Sequence, residues 1–348
     1  MTSRSLALTA LVIALGVALI VLAPGRAWRR EVQVQGLAHV QRSLRLLEQR
    51  EGPLPRVRVL FYGQSITESG WSAELARRLR ARFPHAHLEI ENRALGGFAS
   101  QWLVRSAETD LYPFYPDLVI FHVYGSHLRY EDLVRQIRER TTAEVLIQND
   151  HVTSLGAFHE QRDPTRLEPE GPSFTAFMNH RFLPGLVDSY SVALCDQRQA
   201  WKDHLVRHRQ RPDDLLRDGL HLNAAGDALM ADLVDSCLRR DAGLDPAPAE
   251  AWVRTHRVDV AEGSHRVWSL EFSGNRVDLL LDPVESGSVA ARIDGQPPCE
   301  LPGARVFTRA LSPQAGKWPV LLGLGSLAPL QIETFRLRAR AVAGSSDT

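Results

Sequence analysis

The sequence predicts a three-layer α/β/α domain on a central parallel sheet, with an N-terminal transmembrane helix before it and a small all-β, sandwich-like domain after it. Three observations carry that prediction. Between residues 56 and 240, short runs of branched apolar residues alternate with longer amphipathic stretches, as right-handed crossovers on both faces of a sheet require. Residues 6–23 hold no charged side chain, and ~20 apolar residues are what a helix needs to cross a bilayer. After residue 249 the pattern changes to alternation of apolar and polar residues, interrupted by turn residues.

Composition narrows the field before any motif is read. The chain has 348 residues, 44% of them apolar, with 41 Lys+Arg against 41 Asp+Glu. A neutral balance lacks the basic field that general nucleic-acid binding needs. Ordinary apolar content with interspersed charge also argues against intrinsic disorder. The three cysteines, Cys195, Cys237 and Cys299, form no C-x-x-C pair and allow at most one bridge, so neither a disulfide scaffold nor a structural zinc site is expected. A Cys195–Cys237 bridge stays open at this level, as does the oligomeric state.

The elements follow in order. Residues 1–24 are the expected anchor or signal. The uncharged run is long, and Val21-Leu22-Ala23 before Pro24 fits a small-residue cleavage site poorly, which favours an anchor that is not removed. Arg26, Arg29 and Arg30 follow it, so the positive-inside rule alone would keep the remainder cytoplasmic. Residues 25–52 read as a helical stalk, with Leu37, Val40, Leu44 and Leu47 forming one apolar stripe. A helix packed on the domain behind it is the simpler reading of so short a stripe. Gly52-Pro53-Leu54-Pro55 ends this segment.

The α/β domain is expected over 53–245. Strands are expected at 57–62, 88–91, 118–123, 144–148 and 192–195, and helices at 71–83, 130–140, 175–183, 197–208 and 224–239. The long polar loop 152–173 is expected at the rim of the sheet's carboxyl edge, where such sheets gather reactive groups. Residues 249–342 carry the sandwich-like domain, with Ser273-Gly274-Asn275, Ser286-Gly287 and Asp294-Gly295 as turns. Its Trp252, Trp268, Phe272, Phe307 and Trp318 are the residue types of a core. Gly344-Ser345-Ser346 marks 343–348 as a disordered tail.

Four positions in the α/β domain carry chemistry. Gly63-Gln64-Ser65-Ile66-Thr67 puts a serine at the end of the first strand, beside a glycine that permits a tight turn. Glu91-Asn92-Arg93-Ala94-Leu95-Gly96-Gly97 ends the second strand with N–H groups that can receive a developing oxyanion. Tyr124-Gly125-Ser126-His127 ends the third. Asp218-Gly219-Leu220-His221 precedes the last helix, and an Asp three residues before a His can hold the imidazole in the tautomer that leaves its far nitrogen free to take a proton. Each alone is as easily a cap or a turn; together they fall on one edge of the sheet.

This layout resembles the SGNH, or GDSL-type, hydrolase superfamily over about residues 56–240. Gly63 to Thr67 looks like its first block, Asn92 with Gly97 its second, and Asp218 to His221 its last. Gly125-Ser126-His127 stands where the third block normally reads Gly-x-Asn, and Gln64 stands where Asp is frequent. The resemblance implies a three-layer hydrolase acting on esters without metal or nucleotide. Ser65 is the expected nucleophile, His221 the base and Asp218 its orienting partner. Ser65 and Gly97 are expected as oxyanion donors through their N–H groups, with His127 in place of the missing Asn. Residues 63–67 lack the second glycine of the nucleophile elbow of α/β-hydrolases.

The resemblance also implies an extracytoplasmic catalytic part, anchored by the N-terminal helix or secreted if that segment is cleaved. The expected substrate is an acylated small molecule or polysaccharide, with acetyl esters of a carbohydrate or cell-envelope glycoconjugate first. A lipid-directed esterase and a non-catalytic glycan-binding relative are the alternatives. His122 and His151 have no Asp at orienting spacing and read as structural. Asp196-Gln197-Arg198 with Trp201 reads as a buried ion pair with helix packing.

Overall fold

The computed structural model describes residues 32–51, 54–244, 269–271, 290–301, 306–307 and 324–325. The expected anchor (1–24), most of the sandwich-like domain and the tail lie outside the described residues. Among the described residues, no helix is long and apolar enough to cross a membrane.

Six strands form the main sheet: β1 (Gln33–Gln35), β2 (Arg56–Gly63), β3 (His87–Asn92), β4 (Leu118–His122), β5 (Glu144–Gln148) and β6 (Ala193–Asp196), in the order β1-β6-β5-β4-β2-β3. All neighbours run parallel except β1, which is antiparallel to β6. The helices are α1 (Gln41–Glu48), α2 (Ser65–Glu68), α3 (Gly70–Arg82), α4 (Ser100–Asp110), α5 (His127–Arg140), α6 (Phe174–Phe177), α7 (Leu183–Tyr190), α8 (Gln197–His208) and α9 (Ala224–Cys237). A turn of π-helix, Met178–Phe182, joins α6 to α7.

Strand alternation makes two cores. Val57, Val59 and Phe61 of β2 face one side with Leu118, Ile120 and Leu146, under α1, α3, α8 and α9. Leu60 and Tyr62 face the other with Val119, Phe121 and Ile147, under α4, α5 and α7. Strands buried on both faces read as continuous apolar runs, which is why they were visible in the sequence. The helices bury stripes at helical spacing: Trp71, Leu75 and Leu79 of α3 are each at most 1% exposed.

Residues 32–48, expected as part of a stalk, belong to this domain. β1 pairs Gln33 with Asp196 and Gln35 with Leu194, while Val40, Leu44 and Leu47 pack into the first core. The N–H groups of Arg42 and Ser43 donate to the buried Glu144 carboxylate at 3.0 and 2.7 Å. The stripe is short because it covers one end of a sheet rather than a partner helix.

Farther along, Ile293 and Gln296 bridge across Asp294 and Gly295, both at positive φ (51° and 80°), the turn expected there. Val306–Phe307 (β7) pairs antiparallel with Leu324–Gly325 (β8).

Candidate active site

The site is built on the carboxyl end of β2. Gly63 lies against β4 so closely that a Cβ there would stand 2.1 Å from the His122 carbonyl oxygen. Only glycine allows the chain to pass and turn into α2, whose first residue is Ser65. Trp71 Nε1 donates to Ile66 O at 2.6 Å, and Thr67 Oγ1 to His122 O at 3.2 Å, which fixes the turn. In the orientation that satisfies both neighbours, the Gln64 amide donates to Phe98 O at 3.2 Å and accepts from Tyr124 N at 3.3 Å. It therefore supports the loops beside Ser65 rather than facing a reactant.

The residues 218–221 close over one carboxylate. Asp218 Oδ1 accepts the N–H of His221 at 2.7 Å and of Leu220 at 3.2 Å, with Gly219 between them at φ 78°. Asp218 Oδ2 is 2.8 Å from His221 Nδ1, and His221 Nε2 is 3.0 Å from Ser65 Oγ. The N–H of His221 and then its ring hold the Asp218 carboxyl down at about 2, so it is ionised near neutral pH. An ionised carboxylate only accepts, so Nδ1 carries the ring proton and Nε2 presents a lone pair to the serine. The structure thus brings Ser65, His221 and Asp218 together in one relay, although the first and last are far apart in the chain.

Gly96 stands next to Ser65, and Gly97 follows it. A Cβ on Gly96 would lie 3.8 Å from Ser65 Cβ, and Gly97 adopts φ 83°. The turn is closed by Phe98 N–H donating to Leu95 O at 3.0 Å, a bond that does not use the two intervening N–H groups. Asn92 spends both amide hydrogens on Thr67 O and Ser72 Oγ, each at 2.8 Å, and so braces α2 and α3. His127 is the first residue of α5, and its ring packs against Phe174, Phe177 and Phe182 with centroids 6.3, 5.4 and 5.6 Å away. No hydrogen bond among those described joins it to Ser65 or Gly97.

Three further interactions were not visible in the sequence. His122 Nε2 lies 3.1 Å from Asp150 Oδ1, which sits at the same edge. Burial works against the Asp150 charge, but the His122 bond and charge, with Arg198 and Asn179, bring its carboxyl to about 2. His151 Nε2 lies 2.8 Å from Leu220 O. Arg198 is paired not with Asp196 but with Glu160 from the 152–173 loop, through Nε to Oε1 at 2.9 Å and Nη2 to Oε2 at 2.5 Å. Residues two apart at a helix start do not face each other, and Asp196 instead accepts from Asn149 Nδ2 at 2.6 Å. The partners lie 28, 69 and 38 residues apart, so no local spacing pointed to them. Among the described residues, no group of three His, Cys, Asp or Glu side chains is placed to hold a metal ion.

No protein-family model matches the chain, and no curated protein does. Among solved structures, the chain is similar to a protein of Parabacteroides merdae described as a GDSL-like lipase (18% identity, TM-score 0.42, covering 53% of this chain and 97% of that one). It is likewise similar to an acetylxylan esterase of Geobacillus stearothermophilus (16%, 0.43, 53% and 95%). A third is a two-domain esterase active on acetylated mannans (22%, 0.42, 52% of this chain and 48% of that one).

Proposed function

We propose that the chain is a serine ester hydrolase of the SGNH/GDSL type. The observation that carries this reading is the relay from Asp218 Oδ2 through the His221 ring to Ser65 Oγ, at 2.8 and 3.0 Å. In this reading Ser65 Oγ attacks the ester carbonyl as its proton passes to His221 Nε2, and Asp218 stabilises the imidazolium. The proton then goes to the departing alkoxide, which leaves as the alcohol. Water, deprotonated by the same nitrogen, releases the acid from the acyl-serine. The N–H groups of Ser65 and Gly97 take the oxyanion. The first N–H groups of a helical turn have no intrahelical acceptor, which leaves that of Ser65 available. His127 contributes its ring to the aromatic wall with Phe174, Phe177 and Phe182.

The substrate in this reading is a short acyl ester, acetyl first, on a carbohydrate or cell-envelope glycoconjugate. Two exposed rings support it. Tyr124 follows β4, its N–H held by Gln64 beside the nucleophile, and Trp102 lies in the first turn of α4; each is 43% exposed. Exposed aromatic faces of this kind suit the apolar face of a sugar ring. Export to an oxidising compartment is supported by the bond between Cys195 and Cys237. The test is a chain-length series of 4-nitrophenyl acetate, butyrate and octanoate, with an acetylated oligosaccharide, on wild type. Highest kcat/KM on acetyl esters is expected. Preference for octanoate would move the assignment to a lipid ester.

A further inference from the structure

Between Asp218 and His221 the chain makes an exposed turn. Its inner side is filled by the Asp218 carboxylate, which accepts two backbone N–H groups of the turn. Its other backbone hydrogen bonds are local: Arg217 N to His221 O at 2.8 Å, and Asn223 N to Leu215 O at 3.1 Å. A Cβ on Gly219, at the tip, would meet nothing within 4 Å. The carbonyl of Leu220, at the centre of the turn, points the other way and meets a side chain from a distant part of the fold, His151 Nε2 at 2.8 Å.

His151 is built to hold that contact still. Its side chain is buried, 3% exposed, just beyond β5. Its ring lies against Trp201, with centroids 5.5 Å apart. Its own carbonyl accepts from Arg198 Nη1 at 2.8 Å, and Arg198 is clamped by Glu160, which also takes Lys202 Nζ at 2.5 Å and His180 Nε2 at 2.8 Å. A carbonyl oxygen can only accept, so Nε2 carries the ring proton. Burial lowers the His151 ring to about 4, so it is neutral near pH 7 and the bond does not come and go with protonation there.

We propose that His151 is a positioning residue of the hydrolytic site: its hydrogen bond to the Leu220 carbonyl ties the turn to β5 and so sets the angle at which His221 meets Ser65. The inference rests on the reading of Ser65, His221 and Asp218 as the reacting groups. Without the tie, the turn keeps its internal bonds yet is free to rock as a unit. A misplacement of about 1 Å between reacting groups costs about 100-fold in rate. The effect falls on kcat, because His151 touches neither the substrate rim nor the nucleophile.

The test compares His151→Gln, whose amide can reach the Leu220 carbonyl, with His151→Asn, which is too short, and His151→Phe, which fills the space without a donor. Melting temperature, kcat and KM for 4-nitrophenyl acetate, and the rate of Ser65 labelling by a fluorophosphonate are measured for each. Asn and Phe are expected to lose about 10- to 100-fold in kcat and in labelling rate, with KM within about twofold of wild type. Gln is expected to recover most of both. Should Phe fail to fold, the Gln–Asn pair decides. Equal kcat in Gln and Asn, or wild-type kcat in Phe, overturns the proposal while leaving the triad standing. Undiminished turnover by Ser65→Ala overturns both.

Discussion

Cys195 of β6 and Cys237 at the end of α9 are joined in a disulfide, and both are fully buried. Removing the bond by the double substitution Cys195→Ala and Cys237→Ala releases a closed loop of 42 residues in the unfolded chain. The chain-entropy relation gives about 4 kcal/mol for a loop of that size. For a domain of roughly 200 residues, each kcal/mol moves Tm by about 2–4 °C, so Tm should fall by about 8–16 °C. Thermal unfolding followed by circular dichroism reads that shift directly. A thiol titration of denatured, unreduced wild type is the companion measurement. The sequence holds three cysteines, and only Cys299 should react. Three reactive thiols, or a double variant melting within about 3 °C of wild type, would refute the reasoning. The bond also bears on the site, because α9 begins three residues after His221 and Cys237 pins its far end to the sheet.

Other perturbations have definite signs. Burial pushes the Asp110 carboxyl up to about 7, against the pull of Arg93, whereas the unfolded chain titrates near 3.8. The folded state therefore keeps a proton that the unfolded state has lost, and stability should fall between about pH 4 and 7 by up to about 1.4 kcal/mol per unit. Asp110→Asn should flatten that slope and melt higher at pH 8; an unchanged Tm–pH profile would contradict this. For Glu160, burial raises the carboxyl, but the bonds from His180, Arg198 and Lys202 outweigh it and hold it well below the usual range. Its contribution is present above the unfolded value of 4.5 and is lost as pH falls. Glu160→Gln leaves Arg198 and Lys202 buried against a neutral amide and should cost about 3–5 kcal/mol at pH 7, and a wild-type Tm would count against it. Gly63→Ala would place a methyl 2.1 Å from the His122 carbonyl. It should lower both Tm and turnover, and an active variant of wild-type stability would show that β2 and β4 can part.

What the sequence revealed and what it concealed divide along one physical line. The central parallel strands were legible because both faces are buried, so residues 59–62 of β2 and 118–121 of β4 read as unbroken apolar runs. Asp218 and His221 were legible because one turn carries both. Ser65 was legible through the glycine before it. The strand β1 was not, because three residues paired with a strand about 160 positions later leave no periodic trace. The contacts of His122, His151 and Arg198 follow from strand order, which places the ends of β4, β5 and β6 side by side. The place of His127 in the third block marks it as a candidate donor; its packing against Phe177 and Phe182 was not legible, because they come from a segment some fifty residues later.

The central claim is that Ser65 is the nucleophile and His221 its base. Hydrolysis of 4-nitrophenyl acetate by purified Ser65→Ala, with folding checked by its melting curve, tests that claim most directly. Removing the nucleophile of such a triad is expected to lower kcat by about 1,000-fold or more at unchanged Tm. Turnover within about tenfold of wild type would contradict the account.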